Sequence, residues 1–309
     1  VSTSQLLIDQ GPIYEWIKQN IFGGDKSDVW IYNCAAYWRK KHPVKTGYVR
    51  FVCRARCKLD KSTVYVSHIV TWTTSNDYVL QSPPVKLNIP TLSINQIEDV
   101  GPQDPRVFGM EDSDWIIFNM LNKNNDRQMF VAKLDNDPIA IALTIVGHQP
   151  KRVEKNWTPL VPLVPSKSVV GFIYSFDPLC VLTCPDINVG ECHVVFGEIG
   201  ELNGIGLYRG GTPAIEVTPG VFAGFLHSTV PLSPLAVSTF SPDELPIPAK
   251  KTSVVYHTHN FVLNVQTKSS TIGSPISIFS KQIELVYGWN GSNDCIVNVN
   301  DKSSVIVKF

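Results

Sequence analysis

The tetrapeptide Gln103-Asp104-Pro105-Arg106 puts a carboxylate next to a residue that fixes φ and lacks a backbone N–H, with a guanidinium two positions on. An Asp held in that way suits general acid or base work, and Arg106 suits an anion or a partner carboxylate. The same residues also fit a turn closed by a surface ion pair. Just downstream, EDSDW carries Asp112 and Asp114 as a D-x-D pair of the kind that holds a divalent ion through carboxylate oxygens. A polar hairpin turn feeding the run WIIFN explains the pair equally well, so no cofactor is assigned and a divalent metal stays an open alternative.

Residues 153 to 163, VEKNWTPLVPL, run a carboxylate, an ammonium, an amide and an indole together ahead of two prolines. Lys155 and Asn156 supply donors suited to phosphate or sugar hydroxyls, and Trp157 offers a flat apolar face on which a pyranose can stack. The alternative has Trp157 as core filler and Lys155 as a solvated charge. Residues 208 to 229, YRGGTPAIEVTPGVFAGFLHST, join Arg209 to a Gly-Gly turn where a ligand can approach backbone N–H groups. Thr212 adds a hydroxyl there, and His227 ends the apolar strand that follows. The stretch lacks the Gly-Lys-Ser/Thr of a phosphate-binding loop, and a hydrogen-bonded core histidine accounts equally for His227, His257 or His259. No G-x-S-x-G, H-E-x-x-H or C-x-x-C occurs, so serine-hydrolase elbows, zincins and thioredoxin-like redox sites lack their residues.

The elements that position these groups follow from the hydrophobic pattern. Ile13, Trp16, Ile17 and Ile21 fall on one helical face, and this N-terminal helix is the one expected. From Tyr48 onward, β-branched and aromatic runs separated by turn residues predict hairpins: YVRFVCRARC, TVYVSHIVTW, WIIFNML, QMFVAKL, IAIALTIV, VVGFIYSF, CHVVFGEI, AIEVTPGVFAGFLHS, NFVLNV, QIELVYGW and CIVNVN. The fold class is therefore all-β. Turn-plus-strand signatures begin at Asp104, Asn156 and Gly211, spacings of 52 and 55, near the length of a four-stranded propeller blade. A two-layer sandwich with irregular loops fits the same strands. In a propeller the innermost strand of every blade starts near one axis, which would gather Asp104, Lys155, Arg209 and His227 into one funnel.

The 309 residues carry 27 basic and 27 acidic side chains, so no long-range field gathers nucleic acid or an anionic membrane, and any anion site is local. A hydrophobic share of 43% against 17% charged predicts a sizeable core. Apolar runs such as LVPLVP and SVVGFIY fall well short of the ~20 residues of a spanning helix, and no membrane span is expected. The start, VSTSQLLIDQGPIYEWIKQNIF, lacks the basic flank and unbroken apolar stretch of a secretory leader. Seven scattered cysteines (Cys34, Cys53, Cys57, Cys180, Cys184, Cys192 and Cys295) read as reduced core thiols, which predicts a reducing, cytoplasmic location. Their spacing, even with His193 nearby, is poor for structural zinc. The N-x-S/T triplets at Asn156 and Asn290 would then be silent.

Taken in order, QDPRVF, EKNWTPLVP followed by FIYSFDP, RGGTPAI followed by AGFLHS, and YGWNGSNDC resemble the five-bladed β-propeller glycan enzymes that include β-mannoside phosphorylases and β-mannosyltransferases. The likeness implies a five-bladed propeller over residues 46–309, preceded by a helix and arm over 1–45. In that family a G-x-E-D-P-R stretch carries the catalytic Asp, which puts Asp104 in that role with Arg106 beside it. Lys155 falls on the motif of the anion or sugar pocket, His227 on a family histidine, and Asp294 on the acidic position of a late G-x-x-D turn. With Asn156, Trp157, Arg209 and Thr212 these form the expected substrate-binding set. Gln103 replaces the usual Glu, and YSFDP at 174–178 stands where phosphorylases carry basic residues before a Pro. The second departure favours transfer over phosphorolysis. The implied reaction is inverting transfer of a mannose-like sugar from a nucleotide sugar or sugar phosphate to a glycan acceptor. Phosphorolysis or hydrolysis of β-mannosides is one alternative, and a propeller that only binds glycan or protein is another.

Overall fold

The computed structural model describes residues 12–24, 29–40, 47–58, 64–75, 79–90, 99–110, 113–135, 138–149, 151–162, 169–199, 208–231, 254–275, 287–289, 294–299 and 303–308. The expected helix is α1 (Pro12–Phe22), which opens on a proline whose missing N–H would have had no helical partner. It buries Ile17 completely.

The remaining regular structure among the described residues is β-sheet. The first sheet contains β1 (Val29–Lys40), β2 (Gly47–Lys58), β3 (Tyr65–Ser75) and β4 (Leu80–Lys86), with β5 (Asp99–Val100) laid on β3. A four-stranded meander follows: β6 (Gln103–Gly109), β7 (Asp114–Leu121), β8 (Arg127–Lys133) and β9 (Ile141–Ala142). The largest sheet draws on β10 (Thr144–Ile145), β11 (Thr158–Val161), β12 (Val170–Phe176), β13 (Leu179–Cys184), β14 (Glu191–Phe196), β15 (Tyr208–Gly210), β16 (Ala214–Thr218), β17 (Val221–Pro231), β18 (Val254–Asn264) and β19 (Ser269–Ile272). Its spatial order is β10-β14-β13-β12-β11-β16-β17-β18-β19, with β15 on β17. Finally β20 (Tyr287–Trp289), β21 (Asp294–Val299) and β22 (Ser303–Lys308) return to the first sheet, β20 running parallel to β1.

Strand alternation stacks these units face to face. On β7, Ile116 and Phe118 pack with Val52, Ile69 and Val107 toward the first sheet, while Trp115 and Ile117 pack with Phe172, Cys180 and Leu182 toward β12–β14. On β12 and β13 the other face, Ile173 and Val181, meets Ala214, Phe222, Leu226 and Phe261 of β16–β18. The outer face of β2, through Val49, Phe51, Cys53, Ala55 and Cys57, is covered by α1. Because β7 is buried on both faces, all eight of its residues are buried and it reads as a continuous apolar run instead of an alternating one.

Four expectations are corrected. The N-terminal arm over residues 1–45 contains β1, which pairs with β2 at ten positions, so a boundary at residue 45 divides one sheet. The run IAIALTIV forms only the two short pieces β9 and β10, with Ile139 79% exposed. Strand β13, not expected from the pattern, forms a hairpin with β12 across the turn at Asp177-Pro178. Four of the seven cysteines are paired, as Cys34–Cys53 and Cys184–Cys192, which overturns the reading of reduced thiols and removes the ground for a reducing compartment. Cys57 and Cys180 are buried, and Cys180 is a free thiol.

The approach to β6 depends on one glycine. Gly101 has φ 102°, and a Cβ there would lie 2.1 Å from the backbone oxygen of Ser67 on β3. Gly101→Ala is therefore expected to lower stability by about 2–4 kcal/mol in a urea melt. A change below about 0.5 kcal/mol would show that this contact relaxes freely.

Candidate active site

Asp104 lies one residue into β6, where the register with β7 slips between Gln103 and Arg106, and it adopts φ 53°. Asp and Asn tolerate this left-handed region better than most side chains, and the irregularity takes the carboxylate out of the ladder. Three other strands aim donors at it. Asn33 Nδ2 of β1 donates to Oδ1, Arg54 Nη1 of β2 reaches the same oxygen at 3.3 Å, and Asn119 Nδ2 of β7 reaches Oδ2 at 3.4 Å. Burial works to raise the carboxyl pKa. The Arg54 charge, the Asn33 hydrogen bond, the Arg106 charge and the Asn119 hydrogen bond outweigh it and hold Asp104 below the usual carboxylate range. The side chain stays 26% exposed, open to a ligand.

Arg106 has a different role from the one its sequence position suggests. Its Nη1 donates to the Trp157 carbonyl at 2.6 Å, and its Nη2 to the Gly210 carbonyl at 2.6 Å and to Asn156 Oδ1 at 3.2 Å. One buried guanidinium thus ties β6 to the residues just before β11 and to Gly210 at the end of β15, beside the positions Asn156 and Gly211 that the 52- and 55-residue spacing singled out. The expected substrate ligand is a clamp on protein oxygens. Gly210 is required here because a Cβ would stand 2.1 Å from Thr158 Oγ1 and 2.4 Å from the Asn156 carbonyl. Asn156 itself takes φ 65°, and its side-chain oxygen is held by Arg106.

Two more expected ligands lie in the protein interior. Trp157 is 2% exposed, with Phe172 and Tyr174 against its ring and its Nε1 donating to Glu154 Oε2 at 3.3 Å. It is core filler and offers no face to a sugar. Thr212 is equally buried and fixes a turn, its Oγ1 accepting from Phe225 N at 3.0 Å. Asp294 opens β21, and its side chain lies outside the described residues. Of the D-x-D pair, Asp112 is also outside them, while the buried Asp114 accepts the Tyr37 hydroxyl at 2.6 Å, which turns it inward between sheets.

Lys155, Arg209 and His227 do come together with Asp104. Arg209 and His227 are cross-strand partners on β15 and β17. Partial enclosure and the charges of Arg209 and Arg127 hold the Lys155 ammonium below its usual range, against the pull of Asp104. Burial, then the Arg106 and Arg209 charges, with Lys155 adding to them, push His227 down to about 4 although Asp104 opposes them. His227 is therefore neutral at neutral pH. Among the described residues the Asp104 carboxylate shares this region with five cations, Arg54, Arg106, Arg127, Lys155 and Arg209, in a chain of zero net charge. Beside it opens a cleft whose lining includes Lys151, Lys155, Asn156, Tyr174, Tyr208 and Arg209. The buried Arg209 Nε has no hydrogen-bond partner among the described residues. Glu154, at the cleft wall, is raised by burial despite hydrogen bonds from Lys151 N, Trp157 Nε1 and Tyr174 OH, which make it a brace for the loop.

Sequence reasoning missed Asn33, Arg54, Asn119 and Arg127, the last donating to Asn119 Oδ1 at 2.8 Å. A signal for one of them exists. Arg50, Arg54 and Arg56 share a face of β2 opposite five apolar residues, a charged face that a strand keeps only where partners await it.

The histidines make acid stability testable. His68 is also held to about 4, by burial and then by the Lys86 charge. Both imidazoles take a proton near 6.5 in the unfolded chain but only near 4 when folded, so each favours unfolding increasingly as pH falls from 6.5 toward 4. His68→Gln and His227→Gln should each flatten the fall in stability across that window by about one proton. Urea melts from pH 7 to 4 that keep the wild-type slope would count against it.

Comparison with known proteins follows the same residues. Residues 118–227 match the family model of the β-mannosyltransferases. The chain is 32% identical over 118 residues to β-mannosyltransferase 4 of Komagataella phaffii, covering 37% of this chain and 23% of that protein. It is 34% identical over 125 residues to β-mannosyltransferase 2 of the same organism, covering 38% and 19%. This chain thus spans about a quarter or less of the length of these curated relatives. The family match includes Lys155, Arg209 and His227 and begins after Asp104. Among solved structures, a glycosyl hydrolase from Bacteroides ovatus covers 90% of this chain and 83% of its own at TM-score 0.55 and 13% identity. A structure from the family of mannoside phosphorylases that contains glycoside hydrolases targeting β-1,2-mannosidic linkages in Candida mannan covers 91% and 84% at TM-score 0.54 and 14% identity. At such identities the likeness is one of fold.

Proposed function

We propose that the chain is an inverting glycosyltransferase that moves a mannose-like sugar from an activated, phosphate-bearing donor to a carbohydrate acceptor, on a five-bladed propeller. The blades would be β1–β4, β6–β9, β11–β14, β16–β19 and β20–β22. Support comes from the face-to-face packing of successive units and from the parallel pairings β11 with β16 and β1 with β20. Those pairings join first strands of neighbouring units, as expected where inner strands circle an axis.

The observation that carries the function is one ionised carboxylate, Asp104, facing a positive cleft edge made by Lys155 and Arg209. In inverting transfer the acceptor oxygen attacks the face opposite the leaving group through an oxocarbenium-like transition state. Asp104 Oδ accepts the acceptor hydroxyl's proton as the new C–O bond forms, while Lys155 and Arg209 neutralise charge developing on the departing phosphate. Neutral His227 supplies a hydrogen bond without adding charge. The direction of the Asp104 shift favours this role. A carboxyl held low is present as base at neutral pH, whereas phosphorolysis needs its protonated form to donate to the leaving sugar oxygen. The fold shared with the mannoside phosphorylase family keeps phosphorolysis as the second reading. Incubation with a panel of nucleotide sugars and mannoside acceptors should release nucleotide. Release of sugar phosphate from β-mannosides plus inorganic phosphate would select the second reading, and binding with no turnover of any donor would reject both.

A further inference from the structure

The two side chains that converge on Asp104 Oδ1 are each the sequence neighbour of one half of a disulfide: Asn33 precedes Cys34, and Arg54 follows Cys53. The strand register explains the arrangement. Tyr32 pairs with Arg54 and Ala35 with Val52, which leaves Asn33 and Cys34 together opposite Cys53, a two-against-one β-bulge. Asn33 adopts φ 49° in that bulge, and the turned backbone aims its amide at Asp104, which lies on a different sheet. The Cys34–Cys53 bond crosses the bulge itself, joining the extra residue to the residue it faces, and both sulfurs sit in the buried layer beneath α1.

We propose that the Cys34–Cys53 disulfide is a positioning element for the Asp104 carboxylate, pinning the bulge so that Asn33, and to a lesser degree Arg54, stay directed at Oδ1. The two residues differ in how far they depend on it. Arg54 has other supports: its Nε donates to Ser67 Oγ at 2.9 Å, and its guanidinium lies 4.9 Å from the Tyr32 ring. Asn33 is exposed, and the strained bulge that carries it is held across the sheet by the disulfide. A bulge without this cross-link can slip back into regular register, which would rotate Asn33 to the other face of β1. Asp104 would keep Arg54, Arg106 and Asn119 but lose a donor to the oxygen that carries most of its contacts. Among the described residues, Lys155 from the loop before β11 and His227 from β17 also interact with it, and Arg127 of β8 and Arg209 of β15 stand in the same region.

The inference rests on the proposed role of Asp104 for its meaning in catalysis, yet its test needs no substrate. Carboxyl 13C resonances of Asp-labelled protein, with Asp104 assigned by Asp104→Asn, give its titration directly. In Cys34→Ala/Cys53→Ala the Asp104 midpoint should rise by about one pH unit, as in Asn33→Ala with the disulfide intact. Combining all three substitutions should add nothing further, because both changes remove one interaction. A wild-type midpoint in the disulfide-free protein, or effects that simply add, overturns the proposal. Should the Ala pair fail to fold, Cys34→Val/Cys53→Ala refills the space, and an unshifted midpoint in Asn33→Ala alone is sufficient to overturn it. Protein that shows the shift yet turns over no donor keeps this inference and removes the proposed function instead.

Discussion

Asp104→Asn is expected to lower turnover by about a thousandfold while leaving donor affinity within a fewfold of wild type. The substitution keeps shape and keeps an oxygen for Arg54, but it removes the carboxylate that the proposed mechanism uses as base. In the proposed mechanism donor binding rests on Lys155 and Arg209, which the substitution leaves in place, so the loss should fall on kcat and not on KM. The pH profile adds a second readout. Because Asp104 is held below the usual carboxylate range, wild-type activity should decline only well into acid, as pH falls through the Asp104 midpoint and the base becomes protonated. In Asp104→Asn that limb should vanish. A variant with near-normal turnover would transfer the proton to another group or to water, and the proposed mechanism would be lost.

The second large effect is structural. Arg106→Ala is expected to destabilise the protein by about 4 kcal/mol, roughly 10 °C in Tm, because two carbonyls and the Asn156 amide oxygen lose a charged donor in a buried setting. Arg106→Lys separates charge from geometry. A single ammonium restores the charge but cannot serve three acceptors on one strand and a loop, so it should recover less than half of the loss. Full recovery by Lys would mean that charge alone matters at this position. Urea melts of the three proteins decide it.

How much of this was legible depended on whether a residue's partner was local. The alternation in β2 and β3 and the apolar run of β7 sit in the sequence itself, as does the recurrence at Asp104, Asn156 and Gly211 that led to β6, β11 and β16. Strand β1 was hidden because its centre, Asn33-Cys34-Ala35-Ala36, lacks β-branched residues and its bulge breaks the period of two. The disulfides were hidden for a related reason: Cys34 and Cys53 are 19 positions apart, and only strand pairing makes them neighbours. That Asp104, Lys155, Arg209 and His227 come together was visible through the motifs around them. The roles of Arg106, Trp157 and Thr212 were misread because a guanidinium, an indole and a hydroxyl look the same in sequence whether they face a ligand or the protein interior. Burial decides that, and burial belongs to the whole sheet stack.

The parallel pairing of β1 with β20 has a consequence during synthesis. Ala35 waits for Tyr287, 252 positions later, before its second neighbour exists. At roughly 5–20 residues per second on the ribosome, the nascent chain carries a long unpaired strand edge for on the order of tens of seconds. Such an edge is a template for intermolecular addition, so newly made protein should depend on chaperones until its last strands emerge.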